Sequence, residues 1–214
     1  MASGDAREHE VRRVLERYLV EVIEAYNLCP WARSARQNGE LVTHILWGTP
    51  TPEAVCAAAA TALATPGMRI AMLVFPEMGA TSRELRHFRD AILKASPAGI
   101  ADFHPDAALD LLTPARLVSF LRRSPDPMLQ LVPLSILDAV RTPVFVPDVA
   151  QQAAMLDGTH ASTLDIGDRI AETNHATVSR DHAAIAARIA DILADRAASY
   201  ARVGIVPAIR SDLD

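Results

Sequence analysis

Between Phe103 and Ser135 the chain reads FHPDAALDLLTPARLVSFLRRSPDPMLQLVPLS, concentrating a histidine, three arginines and five prolines around short apolar runs. The near-neutral pKa of an imidazole suits His104 to proton transfer. Arg123 offers a planar guanidinium that can grip a carboxylate or phosphate through two parallel hydrogen bonds, and Ser124 adds a hydroxyl donor beside it. The Ser-Pro-Asp-Pro turn that follows Arg123 leaves it little freedom. Far upstream, Cys29 is the candidate nucleophile or pocket-shaping thiol, because Arg33 and Arg36 bring positive charge that would lower a thiol pKa. Each side chain also has a purely structural alternative. His104 could cap a strand end, Arg123 could pair with Asp126 or Asp102, and Cys29 could be a small buried hydrophobe. Cys56, inside an alanine-rich run, reads as packing, and Arg122 as a solvated charge.

Several common chemistries lack their signatures. No GxSxG elbow surrounds Ser124, and neither a GxGxxG nor a Walker sequence occurs. His44, His87, His160, His175 and His182 have no compact HExxH spacing, and no CxxC pair occurs, which leaves only a metal site assembled through space. The cofactor is left open.

Local signals say which elements must carry these residues. Val11, Val14, Leu15, Tyr18, Leu19, Val22, Ile23 and Tyr26 recur at helical steps, predicting an amphipathic helix over 7–26. Asn27 tolerates the left-handed conformation of a helix end and Pro30 forbids continuation, so Cys29 falls on a bend. Strands are expected at 41–47, 68–75 and 99–104, the third closed by Pro105, which has no N–H for a ladder. Thr51-Pro52, Thr81 or Ser82, and Thr113-Pro114 read as helix starts between and after them. In the second of these helices Leu85, Phe88, Ile92 and Leu93 point toward the core. Residues 122–127 read as a stiff, basic, extended loop, and helical pattern resumes near Pro133 or Leu134. Helices are further expected at 148–156, 168–177 and 179–201, with 204–214 as a tail.

Helical crossovers of this length favour parallel neighbours. The expected fold is therefore α/β: a single domain spanning residues 1–203 with a small, largely parallel sheet covered by helices, the alternative being α+β with one antiparallel edge strand. Parallel strands would bring Glu77 and His104 to the carboxyl edge, where open α/β sheets commonly bind ligands.

Asn27-Leu28-Cys29-Pro30-Trp31-Ala32, Phe103-His104-Pro105, Arg123-Ser124-Pro125-Asp126-Pro127-Met128-Leu129 and Leu134 to Val140 together resemble the domain-of-unknown-function family numbered 1415. A weaker likeness to its closing motif covers Ile170 to Thr177. The resemblance spans roughly residues 10–180 and says where to look; Asn27 and Asn174, within its motifs, join Glu77, Arg123 and Ser124 as candidate ligand-binding residues. Gln130 stands where the family's pattern has a histidine, and residues 143–168 look like an extended insertion.

Half the residues are apolar and 22% are charged, as in a globular chain. The net charge of −5 argues against broad nucleic-acid binding. No apolar run approaches the roughly 18 residues of a membrane helix, and the first residues carry no secretory pattern. Cytoplasmic location with reduced thiols is the expectation. Oligomeric state is not legible. The leading functional expectation is a small-molecule enzyme acting on an anionic substrate: Arg123 and Ser124 anchor the anion, His104 moves a proton, and Cys29 attacks or shapes the pocket. The alternatives are a noncatalytic protein binding a metabolite or metal-containing cofactor, and an interaction module with an exposed apolar patch at Leu129, Leu131 and Val132.

Overall fold

The structure is a computed structural model describing residues 4–79, 81–96, 98–141 and 166–206. Proline- and threonine-punctuated segments set its rhythm. Thr51 caps helix α3 (Pro52–Leu63) by accepting from the Ala54 N–H, and Thr113 does the same for α5 (Pro114–Leu121) through the Arg116 N–H. At α4 (Ser82–Ala95) the cap is reciprocal, Thr81 and Glu84 each serving the other's backbone N–H. Leu85, Phe88 and Ile92 of α4 are buried, whereas Leu93 is 48% exposed and lies off the stripe expected of it.

These helices alternate with β1 (Leu41–Ile45), β2 (Ile70–Val74) and β3 (Ala98–Phe103). The fold is α/β, with one mixed four-stranded sheet in the order β1-β2-β4-β3. β1 and β2 are parallel, Leu41 opposite Ile70 and Ile45 opposite Val74. The fourth strand, β4 (Met128–Pro133), lies antiparallel between β2 and β3, so the three expected strands are not mutual neighbours. Because β2 and β3 both oppose β4, they still run the same way, and all three carboxyl ends emerge at one edge. The α+β alternative had an antiparallel strand at the sheet's edge; here it is internal. Proline on both sides hid it. Pro127 precedes the strand and lends its carbonyl to the Phe75 N–H at 3.0 Å, while Pro133 falls on the last residue, opposite Ala98.

Strand alternation divides the sheet's side chains between two faces. Ala71, Leu73, Phe75, Leu129 and Leu131 pack with α3 and α4. Ile70, Met72, Val74, Phe103 and Met128 face the second helical layer. That layer is formed by α1 (Gly4–Tyr18), a π-helical segment (Leu19–Glu24), α2 (Ala32–Gln37), α5 and the long α7 (Ile166–Val203), while α6 (Leu134–Arg141) follows β4. Leu129 and Leu131 are fully buried, which removes the apolar patch on which an interaction module would have rested.

α7 is continuous where two helices, 168–177 and 179–201, were expected. Ser179 and its neighbours are weak helix formers, but packing overrides propensity here: Asn174, Val178 and Ile185 are all buried. The helix ends in paired bonds, Gly204 N–H to Ala201 O and Ile205 N–H to Tyr200 O at 2.9 Å, with Gly204 at φ 73°. Ile205 is buried against the core, and residues 207–214 of the expected tail lie outside the described residues. The expected 148–156 helix and most of the 143–168 insertion lie outside the described residues.

Candidate cavity beneath the π-helical segment

The bend that carries Cys29 follows directly from its sequence. Asn27 takes φ 50°, and the helix closes with Asn27 N–H to Glu24 O and Leu28 N–H to Ile23 O at 2.9 Å. This is the left-handed termination that Asn favours. Just before it the α1 stripe widens into the π-helical turn, with Ala25 N–H reaching back to Val20 O. Such insertions recur at functional sites, because they re-aim side chains within one helix. From α7, the buried Asn174 donates its side-chain N–H to Leu28 O at 3.1 Å and pins the bend.

Under this bend the sheet face is not fully covered. A cavity of about 200 Å³ lies between the π segment and the sheet, lined among others by Tyr18, Ile23, Cys29, Met72, Phe103 and Gln130. A second, of about 350 Å³, adjoins it toward the β3 edge, with Arg69, Val132 and Leu137 in its wall. Cys29, Ile70, Arg122 and Gln130 line both, so we treat them as inner and outer lobes of one site. Gln130 reaches it from the middle of β4, where it lies opposite Met72 on one side and Ala101 on the other. Gly99 makes room in the outer lobe, since a methyl there would overlap the Leu137 side chain.

Cys29 is therefore a cavity residue, and no cavity described here includes Cys56. Its electrostatics differ from the expectation. Burial pushes the thiol pKa up, against the pull of the Trp31 and Ala32 backbone N–H groups. Arg36 instead grips the buried Glu24 through two bonds of 2.6 and 3.1 Å and also reaches Glu16, while Arg33 lies 3.4 Å from Glu24. The Arg36 hydrogen bonds hold the Glu24 carboxyl low despite burial. The two arginines are occupied, and the proposed activation of the thiol by them has no support.

The remaining candidates gather at the sheet's carboxyl edge. The chain does return as expected: the His104 N–H donates to Arg122 O at 2.9 Å, and Arg123 Nε donates to Pro105 O at 3.0 Å. His104 is buried, and its Nδ1 accepts the Asp106 N–H at 3.1 Å, which places its proton on Nε2 in the neutral ring. Neither His104 nor Arg123 lines the cavity. Among the described residues Arg123 meets a backbone carbonyl and not a carboxylate; Asp102 is taken by Arg89 at 2.8 Å, with Arg122 at 3.5 Å. Ser124 is fully buried and donates to Asp126 O at 2.6 Å, so it shapes its own turn instead of facing an anion. Glu77 pairs with Arg7 and accepts the Gly48 N–H at 2.9 Å. With β4 between them, the strands that lead to Glu77 and His104 are separated by two strand spacings, roughly 10 Å, and Glu77 turns to Arg7 and Gly48. Asn27 is exposed and serves the bend's backbone, and Asn174 is likewise spent on Leu28 O.

Sequence reasoning missed four residues of consequence. Arg122, set aside as solvated, lines both lobes with its side chain 36% exposed. Arg69, next to β2, guards the outer one. Tyr18 was one more member of a helix stripe, and Gln130 only a departure from a motif. A fifth feature is a buried cluster at the carboxyl edge, where Asp126 accepts from Arg196 at 2.7 Å and from the Tyr200 hydroxyl at 2.6 Å. Burial raises the Asp126 carboxyl pKa, opposed by the Arg196 guanidinium and the Tyr200 hydroxyl. Asp126 between two prolines, and Arg196 with Tyr200 one helical turn apart, were the available signals.

Fold and cavity together describe an α/β protein with a mixed sheet and a two-lobed cavity on one helical face. No family model, no curated protein and no solved structure matches the chain. Among the described residues no helix is long and apolar enough to cross a membrane.

Proposed function

We propose that this protein is a small-molecule enzyme acting on an organic anion with an apolar body. The observation that supports the reading is the two-lobed cavity: a mostly apolar wall interrupted by the Tyr18 phenol, the Cys29 thiol, the Gln130 amide and, toward the outside, the guanidinium groups of Arg122 and Arg69. That composition, mostly apolar with a few convergent polar groups, is the usual chemistry of a ligand site. Arg122 replaces Arg123 as the group that meets the anion, and Cys29 keeps the role of nucleophile. Two backbone N–H groups favour its thiolate, while burial keeps it protonated until a ligand changes its surroundings. His104 is a positioning residue in this scheme, fixing the 104–106 turn beside Arg122.

A noncatalytic binding protein is the second reading, favoured by the raised thiol pKa. One experiment separates them. A panel of amphipathic carboxylates and phosphates is screened by titration calorimetry against wild type, Arg122→Ala and Cys29→Ser, with turnover followed by mass spectrometry. Loss of a charged hydrogen bond in Arg122→Ala should weaken binding by roughly tenfold or more. Cys29→Ser should bind normally and release no product. Binding by wild type without turnover favours the noncatalytic reading, and binding indifferent to Arg122 overturns both.

A further inference from the structure

The inner lobe contains a polar group that packing does not explain. Tyr18 is 1% exposed and lines this lobe, yet among the described residues its hydroxyl has no hydrogen-bond partner. A buried unmatched hydroxyl is costly, and phenylalanine would fill the same space without that cost. Burial first, and then the neighbouring Cys29, raise the phenol pKa, so the group stays neutral and acts as a donor. A ligand that displaces solvent from this lobe must bring an acceptor or forfeit the bond.

The acceptor's chemistry follows from its surroundings. The inner lobe's lining is apolar apart from Tyr18, Cys29, Gln130 and Arg122, whereas the outer lobe adds Arg69 to Arg122, so a buried charge is better matched in the outer lobe and a neutral dipole in the inner one. The charged end belongs outside, where Arg69 lines the outer lobe and Arg122 borders both; their ion pairs are loose, Arg69 to Glu40 at 3.8 Å and Arg122 to Asp102 at 3.5 Å, which leaves guanidinium N–H groups for a carboxylate. A carbonyl oxygen has two lone pairs, enough for the Tyr18 hydroxyl and the Gln130 amide N–H together. We propose that the ligand is an oxo-carboxylate, a short apolar chain with a neutral carbonyl held by Tyr18 in the inner lobe and a carboxylate held by Arg122 and Arg69 at the outer one. Resting on the organic-anion reading above, this adds the second functional group and its orientation, and makes Tyr18 a specificity-determining residue.

The test uses matched probes on the full chain. A homologous series of linear keto-carboxylates and the unsubstituted carboxylates of the same lengths is titrated into wild type and Tyr18→Phe, with protection of Cys29 from alkylation reporting that a probe occupies the cavity. Wild type should prefer the best keto-carboxylate over its unsubstituted partner by about tenfold or more, the worth of one satisfied buried hydrogen bond. Tyr18→Phe should bind the two alike, and its melting temperature should not fall, since no protein contact is lost. Equal binding of both probes by wild type, or a large fall in the melting temperature of Tyr18→Phe, overturns the carbonyl assignment while leaving the anion site standing. If no probe of either series protects Cys29, the cavity reading falls and takes this one with it.

Discussion

Cys29 sits between opposing influences, and their balance makes it testable. The residue lines the cavity and two backbone N–H groups favour the thiolate, but burial dominates and raises the pKa. Alkylation by iodoacetamide should therefore be slower at neutral pH than for a free cysteine, and should keep accelerating at alkaline pH where the free thiol has levelled off. A mass-spectrometric time course across pH checks this, and rapid labelling at neutral pH would refute the buried-thiol account. The bend that holds Cys29 was readable beforehand, because a left-handed Asn and a helix-ending Pro act within a few residues. Its electrostatics were not. Whether Arg33 and Arg36 serve Cys29 or Glu24 depends on how the chain folds back after the bend, which no local pattern states. The same limit moved the proposed anion contact from Arg123 to Arg122: sequence could place a guanidinium near the His104 turn, but not decide which of two adjacent side chains lines a cavity.

At the scale of elements, α1 and α7 are joined by ion pairs 174 to 182 residues apart in sequence. Asp195 accepts two bonds from Arg13, at 2.7 and 2.9 Å, and one from Arg17 at 2.7 Å. Arg17 also holds Glu21 and Asp191. Hydrogen bonds from Arg13 and then Arg17 lower the Asp195 pKa to about 2. A carboxyl whose pKa is lower in the folded than in the unfolded chain contributes stability that is fully present above the unfolded value, near 3.8, and is lost as pH falls through about 2. After allowance for solvent screening, the contribution should be about 1–2 kcal/mol. Asp195→Asn should be less stable than wild type by that amount at pH 6 in urea unfolding, with the gap closing toward pH 2. A pH-independent difference would mean that packing, not the charge, is at stake. Both helices were legible from their periodicity, α1 more completely than α7. The interior strand β4 was not, because six residues flanked by prolines give no periodicity to distinguish a strand from a loop, and its place between β2 and β3 is fixed only by tertiary pairing.

For the molecule as a whole, the carboxyl edge of the sheet is tied shut and the open volume lies on its face. Arg7 bridges from the start of α1 to Glu77 and stacks 4.3 Å above the Trp47 ring; His104 and Arg123 serve the 104–106 turn; Asp126 joins the entry of β4 to α7. Arg196 extends this last tie to the end of β2 by donating to Pro76 O at 3.1 Å, so one buried carboxylate organises three segments that meet only in the folded chain. Removing it leaves Arg196, only 15% exposed, without its counter-charge and Tyr200 without its acceptor. Breaking one side of a buried ion pair costs far more than the pair's net worth, because the surviving charge stays desolvated. Asp126→Ala should therefore lower stability by about 3–5 kcal/mol. Arg123→Lys removes a bond to one backbone carbonyl at a partly exposed site and should cost about 1 kcal/mol or less. Both are measured by denaturant unfolding, alongside alkylation of Cys29 under native conditions to report the cavity. If the edge is a structural clamp, Asp126→Ala loses stability while the folded fraction keeps the slow Cys29 labelling of wild type. An Asp126→Ala protein as stable as wild type would show that the buried carboxylate is not what holds β2, β4 and α7 together, and would return the carboxyl edge to consideration as a functional surface.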